Sequence, residues 1–540
     1  MAVDLRSQLH NIFQPTSHAL SGTVDGEARN AGVRRLIEEG ARTPRIAILG
    51  AGAAGLCMAI QLLEQGISTF TLYDKAEAVG GTWRENTYPG AACDVPSHLY
   101  SFSFAPNVSW SRKFPEQPEI LEYLESLTEQ YDLAPRIEFG AEVKSAVWDD
   151  DLGLWNLEVE RSETDRTALP SIVQAEIVVT ALGQLNRPNI PKIPGLERFT
   201  GTTFHSARWN HSHDVTGERL AVIGIGASAI QFVPQIACKA SALTLFQRSV
   251  NYVAPKPDRP FRPWEHWVLK HVPKLRQAYR TSIYWRFEFR FRLMRKGSRL
   301  GALMQKKFAE QVSKLASPEL PSEALVPEYT PGCRRILIAN DWYPTLLRPN
   351  TRVVTDGVAA VTETAIVTDS GEEIEVDTII FGTGFRATDF LAPLTITGRD
   401  GKDLNQVWAG GARAFLGVAV AGFPNFFILY GPNTNLGHNS ILFMIEQQVG
   451  YIRQIIDEFV VHGAQSVEVR EQAMAAFDGE IEAATARTVW AEDCSSWYKN
   501  SEGRVTNNWP DYTVKYKRRL TRPDPQDWIV RTVSPDQDPQ

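Results

Sequence analysis

Residues 46–74 read IAILGAGAAGLCMAIQLLEQGISTFTLYD, and this stretch decides the fold. A short apolar run, Arg45 to Leu49, ends in glycines. The segment LCMAIQLLEQG that follows has helical periodicity. A second apolar run, Thr69 to Tyr73, closes on Asp74. Strand, glycine turn, helix, strand and acid form the unit that holds a dinucleotide. Gly50 allows the tight turn, Gly52 lets the backbone approach a pyrophosphate, and Gly55 lets helix and strand pack closely. The free N–H groups at the helix start stabilise phosphate charge. Asp74, 24 positions after Gly50, stands where an acid grips a ribose.

The pattern starts again at residues 220–229, LAVIGIGASA, with Gly224, Gly226 and Ala229 in the fingerprint positions. Its second strand, Ala242 to Phe246, is followed by Gln247, Arg248 and Ser249 with no acid at the ribose position. A carboxylate there would repel a 2′-phosphate, whereas an arginine can bind one through two N–H groups. The second site is therefore expected to prefer NADPH over NADH. Read alone, Arg248 could equally be a solvated surface residue.

The rest of the 540-residue chain narrows the class. A net charge of -7 argues against nucleic-acid binding. The five cysteines (Cys57, Cys93, Cys238, Cys333 and Cys494) are scattered, odd in number and free of any CxxC pair. They predict neither a disulfide framework nor a metal cluster, and suggest a reducing, cytoplasmic setting. The N-terminal residues do not read as a secretory signal. The most apolar stretch, Phe415 to Tyr430, is broken by Gly417, Gly422, Pro424 and Asn425 and reads as buried strands rather than a membrane span. Residues 1–40 read as an extension with a short helix around Val33, Leu36 and Ile37, capping a domain surface. Pro255 to about Pro331 is rich in aromatic and basic residues and reads as a helical insertion. A basic, aromatic helix can lie on a membrane surface; the favoured reading packs its aromatics inward and its arginines outward. Arg352 to Asp377 alternates as strands do, and the polar and aromatic tail from Trp497 to Leu520 could close over a site.

Two further motifs carry chemistry. Residues 80–94 read GGTWRENTYPGAACD, in which Tyr88-Pro89-Gly90 should turn the chain and bring Asp94 back toward a cofactor. On its own Asp94 reads as a turn or cap acid. Residues 199–210 read FTGTTFHSARWN, placing Phe199, Gly201, His205 and Trp209 at fixed spacing.

Together these motifs resemble the Baeyer–Villiger monooxygenases, the class B flavoprotein monooxygenases, and most nearly their 4-hydroxyacetophenone monooxygenase-like branch. The family signature FxGxxxHxxxW is present and departs only at the next residue, Asn210. The motif from Gly80 to Asp94 matches throughout. The resemblance implies an α/β fold of two Rossmann-like dinucleotide-binding domains, for FAD and NADPH, with a helical insertion subdomain. It places FAD-binding residues at 41–190 and 375–540, NADPH-binding residues at 191–254 and 331–374, and the insertion at 255–330.

It further implies that NADPH reduces FAD, that reduced flavin takes up O2 as a C4a-peroxide, and that this species attacks a ketone to give an ester or lactone, with sulfoxidation as a side activity. By position Arg335, in the segment Gly332-Cys333-Arg334-Arg335, is the catalytic arginine. Asp94 is expected to orient it. Arg334 stands where the family often has a lysine against the NADPH 2′-phosphate. His205 and Trp209 are expected to couple and fix the nucleotide domains rather than move protons. Thr82, Trp83, Tyr100, Val143 and Ile441 match positions that touch FAD, and Trp497 one that touches the nicotinamide nucleotide. A small ketone and O2 are the implied partners, with no metal. Specificity is expected from the insertion, the loop Asn433 to Ser440 and the tail. The rivals are a flavin-containing monooxygenase acting on nitrogen or sulfur, a flavin disulfide reductase (for which a redox cysteine pair near the flavin unit is missing), and a silent nucleotide-binding regulator.

Overall fold

The computed structural model describes residues 24–162, 170–492, 494 and 496–532, with side chains from residue 30 onward. Its frame is two parallel five-stranded sheets. In the first, the strands run in the order Phe426–Ile428, Ile177–Thr180, Ile46–Leu49, Phe70–Asp74 and Ile137–Phe139. Every neighbouring pair is parallel. Ile46–Leu49 and Ile177–Thr180 are buried at every position, which explains why only Thr180 among them is polar: a central parallel strand is covered on both faces. The second sheet has the order Thr351–Val354, Ala242–Phe246, Arg219–Ile223, Thr378–Phe381 and Thr202–His205, again all parallel. The helices Ala53–Glu64 and Ala229–Ala237 follow the two glycine turns. The α/β, doubly nucleotide-binding architecture expected from sequence is the one observed. Thr378–Phe381 still pairs within the second sheet, so the chain leaves that sheet only after residue 381, later than the division at 375. The next strand, Thr395–Thr397, joins Ala141–Asp149 in a sheet packed on the first.

The stretch Phe415 to Tyr430 is buried almost throughout and contributes one strand, Phe426–Ile428. Among the described residues no helix is long and apolar enough to cross a membrane. The helix Val24–Glu38 seats Val33 and Leu36 in the core of the first half and packs against the long helix Ile441–His462. The earlier part of the extension, residues 1–23, lies outside the described residues.

Two expectations are corrected. The insertion is helical, with helices Pro263–His271, Pro273–Glu288 and Arg299–Val312, but its aromatics do not all turn inward. Phe287 and Phe291 are buried, whereas Trp264 and Trp267 are 61% and 60% exposed, and Trp285 and Phe289 are also exposed. The sequence is aromatic on more than one helical face, and only one face has a core to meet. The cysteines are not all free: Cys333 and Cys494, 161 positions apart, form a disulfide with Cα atoms 6.6 Å apart. The pairing depends on the tail folding back onto the segment before Arg335, which spacing along the chain does not reveal.

Candidate functional site

Both glycine turns open onto one cavity of about 1250 Å³. Each turn forms for the same reason. Gly50 has φ +108°, and a Cβ there would lie 2.7 Å from the Ala181 carbonyl oxygen; Gly224 has φ +102°, and a Cβ would lie 2.6 Å from that of Gly382. In both cases the neighbouring parallel strand ends against the turn, so only glycine fits. Gly52 and Gly226 line the cavity, while Gly55 and Ala229 sit behind it as small packing residues. A Cβ on Gly55 would lie 1.9 Å from the Gly50 carbonyl oxygen. Asp74, at the end of its strand, is buried and accepts hydrogen bonds from the amides of Ala51 (2.8 Å) and Ala76 (2.9 Å). It thereby braces the first turn and also lines the cavity.

Around the first turn stand Thr82, Trp83, Tyr100, Val143 and Ile441, all on the cavity wall. Trp83 Nε1 donates to the Tyr100 hydroxyl at 3.0 Å, and the rings meet edge to face. Ile441 begins the helix Ile441–His462, so that helix's N-terminus is at the cavity. Around the second turn, Arg248 and Ser249 follow the strand Ala242–Phe246, and Arg334 donates to the Ser249 hydroxyl while stacking over Tyr329. All three of Arg248, Ser249 and Arg334 line the cavity, as does Trp497 from the tail.

The same cavity wall carries the ion pair of Arg335 and Asp94. Arg335 Nε donates to Asp94 Oδ2 at 2.7 Å and Nη2 to Oδ1 at 2.6 Å. Each side chain keeps 27% of its surface exposed, and both line the cavity. Burial works to lower the Arg335 pKa, but the Asp94 carboxylate outweighs it, and the guanidinium is held above its ordinary value. It is a permanent cation with two N–H groups committed to Asp94. Two residues missed by sequence reasoning also feel its field. Burial raises the hydroxyl pKa of Tyr430 and pushes Tyr498 up to about 12, each partly countered by Arg335. Tyr430 donates to Asn435 Oδ1 at 2.6 Å. Its φ of +56°, unusual for a bulky residue, is the one feature that marks it, and a sequence does not display it.

The signature residues do not line the cavity. Phe199, half-buried, packs against the core beside the second sheet, and a Cβ on Gly201 would lie 2.2 Å from the Asp377 carbonyl oxygen. His205 is 2% exposed; its Nδ1 accepts from the Ala207 amide at 3.1 Å, and burial pulls its pKa down to about 4. Trp209 packs on Phe204 and Phe232, and Tyr88 meets Phe232 from the other motif. Arg208 pairs with Glu85, Thr87 meets His211 at 2.7 Å, and Gln231 bonds both the Tyr88 hydroxyl and the Ala92 carbonyl at 2.9 Å. The signature thus sits on the seam between the motif at 80–94 and the second nucleotide unit.

The loop Asn433 to Ser440 supplies Asn435, Leu436 and Asn439 to the cavity wall, but no described residue of 255–330 reaches it. The insertion instead supports the loop and the tail: Glu288 accepts from Asn439 Nδ2 at 2.9 Å and from the Thr513 hydroxyl at 2.7 Å.

The model of the flavin-binding monooxygenase-like family matches residues 43–394. A Baeyer-Villiger monooxygenase of Streptomyces coelicolor is 39% identical over 91% of this chain and 94% of its own length. Another, from Pseudomonas aeruginosa, is 41% identical over 89% and 90%. The chain belongs to the flavin-binding monooxygenase family, among its Baeyer–Villiger members. The fold of this flavin monooxygenase is also that of a steroid monooxygenase solved with NADP, at 30% identity and a TM-score of 0.80, covering 91% of this chain and all of the other. The wall of this flavin monooxygenase suits two dinucleotides, because each glycine turn leaves backbone amides and a helix start facing the cavity.

Proposed function

We propose that this enzyme inserts one atom of O2 beside a ketone carbonyl, giving an ester or lactone, while NADPH supplies two electrons and the second oxygen leaves as water. The observation that carries this reading is the Arg335–Asp94 pair facing the cavity shared by both glycine turns. FAD fits the turn of Gly50, Gly52 and Gly55, with Asp74 near its ribose and Thr82, Trp83, Tyr100, Val143 and Ile441 around the rest. NADPH fits the turn of Gly224 and Gly226, with Arg248, Ser249 and Arg334 gathered for its 2′-phosphate and Trp497 against the nucleotide. The two sheets form the halves for these nucleotides, and residues 255–330 the insertion.

When bound, the flavin reduced by NADPH supplies the activated oxygen. The chain's own residues do the rest. Arg335 stabilises negative charge as it develops on the ketone oxygen, a cation already fixed in place being worth more than one that must reorganise in bulk solvent. Asp94 fixes the guanidinium plane so that no reorganisation is needed when the charge appears. His205, neutral at physiological pH and off the cavity wall, holds the seam between the halves and moves no proton. A cytoplasmic setting belongs to this reading, since NADPH is regenerated there, and in that compartment the Cys333–Cys494 disulfide would be open to thiol control.

The test is incubation of the FAD-loaded enzyme with NADPH, ¹⁸O2 and a panel of ketones, amines and sulfides. One label in an ester product supports the proposal. NADPH consumption with label only in hydrogen peroxide or water, across the panel, contradicts it. Label appearing only in amine or sulfide oxides would favour the heteroatom-oxidising alternative.

A further inference from the structure

Among the described residues, the helical insertion turns an apolar and basic surface to solvent. Seven of the fifteen exposed large apolar residues of the described chain lie between Trp264 and Leu303. They fall on helical stripes. Along Pro273–Glu288 and the turn after it, Leu275, Ala278, Ser282, Trp285 and Phe289 recur at spacings of three and four, which is one face of a helix. The opposite face buries Ile283 and Phe287. Trp264 and Trp267 repeat this spacing on Pro263–His271, and Leu300 and Leu303 on Arg299–Val312. Each helix therefore has a core face already satisfied and a second, largely apolar stripe that no described residue covers.

The charge around the stripes says what could cover them. Residues 263–314 hold thirteen Lys and Arg against three acids, in a chain whose net charge is -7. Lys274 and Arg286 flank the central stripe and are exposed. Glu265 is clasped by Arg259, Glu288 is buried, and Glu310 lies beside Lys306. A second copy meeting it through the same face would bring like charge against like. A surface of anionic headgroups over apolar chains meets both features, with tryptophans at the boundary. No helix of the described residues can span a bilayer, so the mode is docking on one face.

We propose that the outer face of helices 263–271, 273–288 and 299–312 docks on anionic lipid membranes, with Trp264, Trp267 and Trp285 entering the interface and Lys274 and Arg286 meeting headgroup phosphates. The FAD-loaded, full-length enzyme is to be sedimented with vesicles of phosphatidylcholine alone or mixed with phosphatidylglycerol. Binding is expected to the mixed vesicles only, with a blue shift of tryptophan emission. It should weaken as NaCl rises from 0.1 M to 1 M, because the screening length falls from about 10 Å to about 3 Å. The triple substitution Trp264→Ser, Trp267→Ser, Trp285→Ser and, separately, Lys274→Glu with Arg286→Glu should each lower the partition coefficient at least about tenfold. Both variants should keep an unchanged circular dichroism spectrum and NADPH oxidation rate. Absence of binding, equal binding to both vesicle types, or binding indifferent to both variants overturns the proposal. So does a dimer without lipid that the tryptophan substitutions dissolve, which would assign the stripes to a second copy, or retention on an acidic polypeptide with none on vesicles.

Discussion

Arg335 clasps Asp94 through two hydrogen bonds of 2.7 and 2.6 Å, although 241 positions separate them in the chain. Asp94 ends the turn built by residues 80–94, and Arg335 follows the insertion. The pair is thus formed only when the long excursion through the second nucleotide unit has folded and returned. A bidentate geometry fixes the plane of the guanidinium as well as its position.

Asp94→Ala removes that fixing while leaving the cation. Ester formation is expected to fall about 10- to 100-fold, the equivalent of losing one hydrogen bond to a charged group, about 1.5–3 kcal/mol. The rate of flavin bleaching by NADPH under anaerobic conditions should stay within about threefold of wild type. Stopped-flow absorbance for reduction and product chromatography for the ester separate the two.

Arg248 and Arg334 both line the second turn's side of the cavity. Charge-assisted hydrogen bonds contribute about 1.5–3 kcal/mol each, so Arg248→Ala or Arg334→Ala should raise the KM for NADPH about tenfold to a hundredfold. NADH, which has no 2′-phosphate, should be nearly unaffected. Steady-state kinetics with both nucleotides reads the difference; an equal loss for both would place these arginines away from that phosphate.

Much of the fold was legible in the sequence because the informative features are local. A glycine turn, its helix and its acid lie within thirty residues, and the strands at 46–49, 70–74, 219–223 and 242–246 emerged within a residue or two of their expected bounds. The Arg335–Asp94 meeting was foreseen only through the family resemblance, since nothing local joins those positions. What stayed hidden depends on long-range packing: the Cys333–Cys494 bond, the seam made by Gln231 and Tyr88, and the late departure from the second sheet after Phe381. The insertion was half legible. Its periodicity gives helices, but a helix with apolar residues on two faces does not say which one finds the core.

His205 offers a pH test. Burial holds its folded pKa at about 4, against about 6.5 when exposed. Between those values the unfolded chain takes up a proton and the folded one does not, so stability is fully present above about pH 6.5 and declines as pH falls toward 4. Chemical denaturation at a series of pH values should show this decline in wild type and a shallower one in His205→Gln. The remaining slope includes His98, which burial holds at about 4 in the same way. Near neutral pH the substitution should leave the pH profile of ester formation unmoved.

The Cys333–Cys494 disulfide ties the Arg335 segment to the tail that carries Trp497. Reduction, or Cys333→Ser, should lower stability by about 2–5 kcal/mol, the usual range for a native bond closing a long loop. A thermal melt with and without dithiothreitol reads this directly, and Cys333→Ser should show no further loss on adding the reductant.

The most direct test is to run the two halves of the reaction separately in Arg335→Ala. Anaerobic NADPH should reduce its flavin at a rate within about threefold of wild type, while labelled ester from ¹⁸O2 and a good ketone falls by at least about a hundredfold, the cost of removing a preorganised charge-stabilising group. Ester formation at the wild-type rate in that variant would contradict a charge-stabilising role for the guanidinium that Asp94 holds against the cavity.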